Sequence, residues 1–133
     1  MADHYHEFQM LGAEVLGIST DSVYSHKIFV QTSPSAQKVQ FPLLSDSTQK
    51  ICQKYGALDP RGGKGTRTTI IISPEGLVKC FHKYPLPVGR NIPEIIRILH
   101  GLQFTASSGQ GSPADWQPGQ QGMPTDWNMV GKI

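Results

Sequence analysis

The sequence is short of most features that would mark a specialised chain. It has two cysteines in 133 residues, Cys52 and Cys80, and no Cys-x-x-Cys pair. That leaves neither a disulfide framework nor a four-ligand zinc site. Charged residues make up 17% and the formal net charge is +2, too small to argue for a nucleic-acid surface. No apolar run approaches the ~20 residues that cross a bilayer, so no membrane partner is expected. Met1-Ala2-Asp3-His4-Tyr5-His6 has no basic stretch leading into an apolar one, so no secretory leader is expected and a cytoplasmic setting is. The five histidines make no metal-like cluster beyond His4-x-His6, which a solvated helix start explains equally well. Arg61-Gly62-Gly63-Lys64-Gly65 lacks the Lys-Ser/Thr ending of a phosphate loop, which excludes nucleotide binding there. Neither a metal nor a cofactor is expected.

What is present is enough for one compact domain. Hydrophobic residues reach 38%, with 14 Gly and 10 Pro, which argues against wholesale disorder. Composition changes near Thr105. Residues 1–104 hold nearly all the Ile, Val and Leu, whereas 105–133 are rich in Gly, Ser, Gln and Pro with two isolated aromatics, Trp116 and Trp127. Such a segment cannot fold alone. Its two tryptophans predict an arm that docks on its own domain or on a partner subunit; the alternative is a loose tail.

The body alternates helix and strand patterns. Tyr5, Phe8 and Leu11 recur at helical spacing, with Gly12 as a C-terminal cap. Val15-Leu16-Gly17-Ile18 suits a strand buried on both faces. Thr20, Asp21 and Ser22 offer caps for a helix through Val23, Ile28 and Phe29 that stops before Pro34. Phe41 to Leu44 reads as extended, and Ser47 or Thr48 can start a helix running to Tyr55 and closed by Gly56. Thr68 to Ile72 is the strongest strand pattern; the turn Ser73-Pro74-Glu75-Gly76 brings Leu77 to Tyr84 back as a hairpin partner. Asn91 with Glu94 resembles a capping box, ahead of a stripe of Ile92, Ile95, Ile96, Leu99 and Leu102. The order predicts an α/β domain ending in an antiparallel hairpin and a covering helix.

Few side chains suggest chemistry. Cys52 lies in a helical pattern and Cys80 alternates within a strand, and both read as small core hydrophobes. Nearby Lys50 and Lys54, or Lys79, would lower a thiol pKa only if the sulfur were exposed. Arg67 opens the strand at 68–72 and Arg90 follows Pro87-Val88-Gly89. An arginine at a strand end in a cleft can hold developing negative charge through its fixed fork of donors, and a surface ion pair is the plain alternative for each.

Taken together the sequence resembles the peroxiredoxins, specifically the peroxidatic subunit of bacterial alkyl hydroperoxide reductase and typical two-cysteine members. The resemblance rests on Glu14-Val15-Leu16-Gly17-Ile18-Ser19-Thr20-Asp21-Ser22, Ser25-His26-Lys27, Phe41-Pro42-Leu43-Leu44-Ser45-Asp46, Pro74-Glu75-Gly76 and Pro87-Val88-Gly89-Arg90-Asn91. Pro113-Ala114-Asp115-Trp116-Gln117-Pro118-Gly119 and the ending Val130-Gly131-Lys132-Ile133 extend it through the tail. It implies a thioredoxin-like fold and reduction of peroxides by a cysteine thiolate. It also implies a thioredoxin-like or flavoprotein reductant, and a homodimer built into rings with the arm crossing to the partner.

The departures from that pattern shape the expectation. The family's attacking cysteine sits in a Pro-x-x-x-Thr-x-x-Cys segment that these 133 residues do not contain. The strand leading into it, central in a thioredoxin-like sheet, is expected to be missing as well, leaving 14–19 and 68–72 with unpaired edges. Residues 1–104 are thus expected to be an incomplete thioredoxin-like domain, with 105–133 as the arm. Ser112 stands at the resolving-cysteine position, before Pro113, and neither Cys52 nor Cys80 matches a catalytic position. By resemblance Arg67 matches the arginine beside the attacking sulfur, and Arg90 a second, supporting one. The chain alone is therefore expected to be inactive. A selenocysteine parent read as a stop, a frameshift, or a genuine short form would each account for it. The alternative reading is a non-catalytic thioredoxin-like subunit that associates with a full-length peroxiredoxin; a third makes Cys52 or Cys80 a redox sensor.

Overall fold

The computed structural model describes residues 1–131, so the last two residues of the matching ending, Lys132 and Ile133, lie outside the described residues. The chain divides into two compact units, Met1–Arg90 and Asn91–Ile133. Among the described residues no helix is long and apolar enough to cross a membrane.

The first unit is α/β, as expected. A 3-10 turn (Ala2–His4) leads into α1 (Tyr5–Met10), which buries Tyr5 and Phe8. Tyr5 packs its ring on Phe41 with centroids 5.6 Å apart. Gly12, at φ 65°, turns the chain out of the helix where a side chain would be strained. Next come β1 (Gly17–Ser19), α2 (Val23–Thr32) and β2 (Leu43–Ser45), a crossover that sets β1 and β2 parallel. Ser22 caps α2 by accepting from the Ser25 amide at 3.1 Å, as its position predicts. Gly17 lets the ladder close tightly: a Cβ there would sit 2.7 Å from Leu43 Cδ2, so the Leu43 side chain would have to turn aside.

α3 (Lys50–Lys54) is shorter than expected and starts later than Ser47 or Thr48. Its cap comes from upstream. The buried Asp46 carboxylate accepts the Ile51 amide at 3.1 Å and the Cys52 amide at 2.7 Å, while Gln49 adopts a left-handed φ of 61° to bring the helix under it. Burial opposes ionisation of Asp46, yet the amides it accepts outweigh that and hold its carboxyl below the ordinary value. A depressed native pKa contributes stability above the unfolded value that disappears as pH falls through the native one. Thermal melts followed by circular dichroism should therefore drop as pH falls below about 4. Asp46→Asn should melt lower at neutral pH and show a flatter acid limb. An unchanged limb would remove Asp46 from the cause.

Residues 57–66, which carry no strand pattern, form a small hairpin of β3 (Leu58–Asp59) and β4 (Lys64–Gly65). The glycine- and base-rich run is thereby spent on a tight turn, closed by the Gly63 amide on the Asp59 carbonyl at 2.8 Å. β5 (Arg67–Ile72) and β6 (Val78–Tyr84) then make the expected antiparallel hairpin around Ser73–Gly76, with an irregularity between Ile71 and Ile72.

The strands do not join into one sheet. Among the described residues β1 pairs only with β2 and β5 only with β6, so each keeps an open edge, as the resemblance implies. One expectation fails here. The stretch at 15–18 was expected to be buried on both faces, but Leu16 is 54% and Ile18 41% exposed. A strand is buried on both faces only when elements cover each side and a neighbour lies on each edge. β1 has a single neighbour.

The second unit is α4 (Ile92–Ser108) with the segment after it. Asn91 Oδ1 accepts the Glu94 amide at 3.1 Å and Gly109, at φ 69°, ends the helix. The composition break at Thr105 thus lies inside α4 rather than at its end. Ile95 and Ile96 of the expected stripe are buried. The chain folds back so that Trp116, 3% exposed, packs on Phe104 with centroids 4.9 Å apart, and Trp116 Nε1 donates to the Gln120 carbonyl at 3.0 Å. A two-residue bridge, Gly111 with Met123, closes the return. Trp127 is 87% exposed.

Candidate functional site

β5 begins at a fixed point. Thr66 donates its hydroxyl to the Ala57 carbonyl at 3.0 Å and shares a 2.7 Å hydrogen bond with Thr68, and its amide reaches the same carbonyl at 2.7 Å. These contacts hold the strand start against the end of α3. They place Arg67 as the first residue of β5, opposite Tyr84 on β6. Arg67 and Thr69 share one face of the ladder, because side chains alternate along a strand. Tyr84 and His82 stand opposite them, their rings in edge contact at 6.2 Å.

Arg90 comes back to this strand from the loop after β6. A turn closed by the Val88 amide on the Pro85 carbonyl directs it. Arg90 Nε donates to Thr69 Oγ1 at 2.9 Å and Nη2 to the Thr68 carbonyl at 3.0 Å. The residue as a whole is exposed, but its guanidinium lies along β5 and loses water there. That desolvation, and next the charge of Arg67, push its pKa down, while Tyr84 pulls it up. The two arginines named from the sequence are therefore electrostatic neighbours. Arg67 Nε is buried with no hydrogen-bond partner. Among the described residues neither arginine forms an ion pair, the three pairs being His4–Glu7, Lys38–Asp3 and Arg97–Glu94. Two adjacent cations without a carboxylate suit a group that carries or develops negative charge.

The other named residues lie apart from this pair. Ser112 belongs to the second unit, where it packs on α4: a Cβ built on Gly101 would come 3.1 Å from its Oγ. Cys52 is buried in α3, and burial first, then the hydrogen bond and charge of Asp46, push its thiol up, opposite to a reactive thiolate. Cys80 is half-buried on β6 opposite Ile71, and the two sulfurs form no disulfide. His4 pairs with Glu7 at 2.6 Å rather than with His6. Thr69 and Tyr84 were not among the sequence candidates. The strand pattern alone contains their positions, and the ladder register is what brings them to Arg67 and Arg90.

Sequence comparison places these features in a wider set. The family model described as AhpC/TSA matches residues 1–81, and that described as the C-terminal domain of 1-Cys peroxiredoxin matches 101–132. Alkyl hydroperoxide reductase C of Pseudomonas aeruginosa (strain UCBPP-PA14) is 38% identical over 99% of this chain and 71% of its own length. A selenocysteine-containing peroxiredoxin of Peptoclostridium acidaminophilum is 33% identical over 100% of this chain and 68% of its own. A crystal structure of a cysteine-to-serine mutant of peroxiredoxin 6 from Arenicola marina superposes with a TM-score of 0.85 at 30% identity, over 95% of this chain and 62% of that one. The chain thus has the thioredoxin-like peroxiredoxin fold in part, and it spans between 48% and 71% of the length of the curated relatives it matches.

Proposed function

The chain belongs to the peroxiredoxin (AhpC/TSA) family, and from that premise we propose that Arg67 and Arg90 serve peroxide reduction by a thiolate or selenolate nucleophile. The substrates are hydrogen peroxide and organic hydroperoxides. The nucleophile attacks one peroxide oxygen, a sulfur–oxygen (or selenium–oxygen) bond forms, and the O–O bond breaks. The expelled oxygen leaves with a proton as water or alcohol, and the oxidised sulfur is returned by a thioredoxin-like or flavoprotein reductant. Arg67 stabilises the thiolate and the charge passing to the leaving oxygen, and Arg90 supports it. The observation that carries this reading is that Arg67 on β5 and Arg90 lying against that strand form no ion pair among the described residues.

The 133 residues contain no Pro-x-x-x-Thr-x-x-Cys, so this polypeptide by itself is proposed to be inactive. Residues 1–104 would form the thioredoxin-like body and 105–133 an arm packing on that body or on the partner in a homodimer or ring; exposed Trp127 supports a partner. The open edges of β1 and β5 favour a second reading, a non-catalytic subunit that joins a full-length peroxiredoxin. Peroxide consumption by the purified chain with a thioredoxin system tests both. No turnover is expected. Turnover that vanishes in Cys52→Ser or Cys80→Ser would overturn the assignment of these thiols as structural. Co-assembly with a full-length relative without added turnover would select the second reading.

A further inference from the structure

The net charge of +2 hides an uneven distribution. Residues 50–90 hold eight of the twelve Lys and Arg and two of the ten Asp and Glu, so the rest of the chain has more acids than bases. All eight cations except Arg67 are exposed. Such a division bears on what the surface meets rather than on the fold. The apolar side chains of the same region narrow the choice. Cross-strand partners share one face of a ladder, so the pairs Thr68–Lys83, Ile70–Phe81 and Ile72–Val78 line one side of the β5–β6 hairpin. On that side Phe81 and Ile72 are each 45% exposed and Val78 is 54% exposed. Lys83 stands at one end of them. Lys79, which the irregularity leaves without a partner on β5, stands exposed next to Val78 at the other. Among the described residues neither lysine is in an ion pair. Glu75, in the turn, is the only acid between Pro60 and Pro93.

We propose that this side of the hairpin docks on an anionic phospholipid surface. Phe81, Val78 and Ile72 enter the headgroup boundary, while Lys79 and Lys83 meet the lipid phosphates and carboxylates around them. Such a surface rewards both kinds of side chain, through burial of apolar area and attraction of cations near the headgroups. The backbone of a nucleic acid would satisfy the lysines and leave the three apolar side chains in water. A contact of this kind needs no spanning segment; the lack of one excludes crossing only. The inference uses neither Arg67 nor Arg90 and stands apart from the peroxidase reading.

The test is co-sedimentation of the 133-residue chain with vesicles of phosphatidylcholine, alone or with about one-third phosphatidylserine. Binding is expected only where phosphatidylserine is present, and it should weaken in raised salt. Lys79→Gln and Lys83→Gln should each weaken it about fivefold, the effect of one cation near such a surface. Phe81→Ser should weaken it at least as much, because the apolar area stays in water. Lys27→Gln on α2, outside the basic region, should change nothing. Circular dichroism melts report whether each variant folds. Should Phe81→Ser fail, Phe81→Trp should still bind, with its added emission moving to the blue on the anionic vesicles. No sedimentation with phosphatidylserine, or sedimentation unchanged in Lys79→Gln and Phe81→Ser, would overturn the site. Binding that depends on the lysines but ignores Phe81 would also overturn it, leaving a plain polyanion surface. A changed oligomeric state of Phe81→Ser on size exclusion, with vesicle binding intact, would give the face to a second copy instead.

Discussion

Arg67→Ala is expected to cut peroxide turnover about 10²- to 10³-fold, the usual effect of removing one preorganised donor from a developing anion, once the chain is joined to a peroxidatic segment. The assay fuses ahead of Met1 the strand and Pro-x-x-x-Thr-x-x-Cys segment of a relative, so that a thiol is supplied while all 133 residues stay in place. Arg67 is expected to be the larger of the two because its buried Nε makes no hydrogen bond to the described residues. Arg90 already has two N–H groups committed to Thr68 and Thr69. Arg90→Ala should therefore cost about tenfold, the low end for a charge-assisted contact. The pH profile separates electrostatics from folding. A nearby cation favours the thiolate, so removing Arg67 raises the thiol pKa and moves the activity profile to higher pH. Arg67→Lys should restore most of the pH shift but little of the rate, because Lys keeps the charge without the two-donor fork. A fused enzyme whose rate and pH profile ignore Arg67 would end the proposed role.

The parts of the fold that could be read from the sequence are those fixed by local chemistry. Asn91 and Glu94 announce α4, and Ser22 announces α2, because a cap and its amide are neighbours in the chain. The β5–β6 hairpin follows from five consecutive residues of strand character and a Pro-Glu-Gly turn. What could not be read depends on distant partners. Asp46 caps α3 from beyond a left-handed Gln49, a conformation that no propensity favours. The burial of 15–18 depends on a second neighbouring strand, which β1 does not have among the described residues. The site itself was half legible. Both arginines stand out by position, yet their surroundings hinge on the irregularity between Ile71 and Ile72. Carrying the Ile72–Val78 pairing outward without it would set Arg67 against Lys83, like charge on like. The shift replaces that clash with Tyr84.

The second unit should fail at one residue. Trp116→Ala is expected to destabilise it by about 3–5 kcal/mol, the cost of deleting a buried aromatic where the surroundings collapse only in part. Trp116 is the side chain on which the segment after α4 closes. Its ring packs on Phe104, its Nε1 donates to the Gln120 carbonyl, and its own carbonyl accepts from Arg97 Nη1 at 3.2 Å. Arg97 is itself held to Glu94 by two contacts of 2.6 and 2.8 Å, so the link runs back to the capped start of α4. Gly122 lies so close to the same ring that a Cβ there would come 2.6 Å from Phe104, so Gly122 also belongs to this packing. Trp127, 87% exposed, is the internal control: Trp127→Ala should stay within about 0.5 kcal/mol of the parent. Urea unfolding followed by far-ultraviolet circular dichroism compares the two variants directly. Tryptophan emission of the single variants adds a second reading, blue-shifted where Trp116 remains and water-like where only Trp127 does. Equal losses from the two substitutions would mean that the arm is not anchored through Trp116.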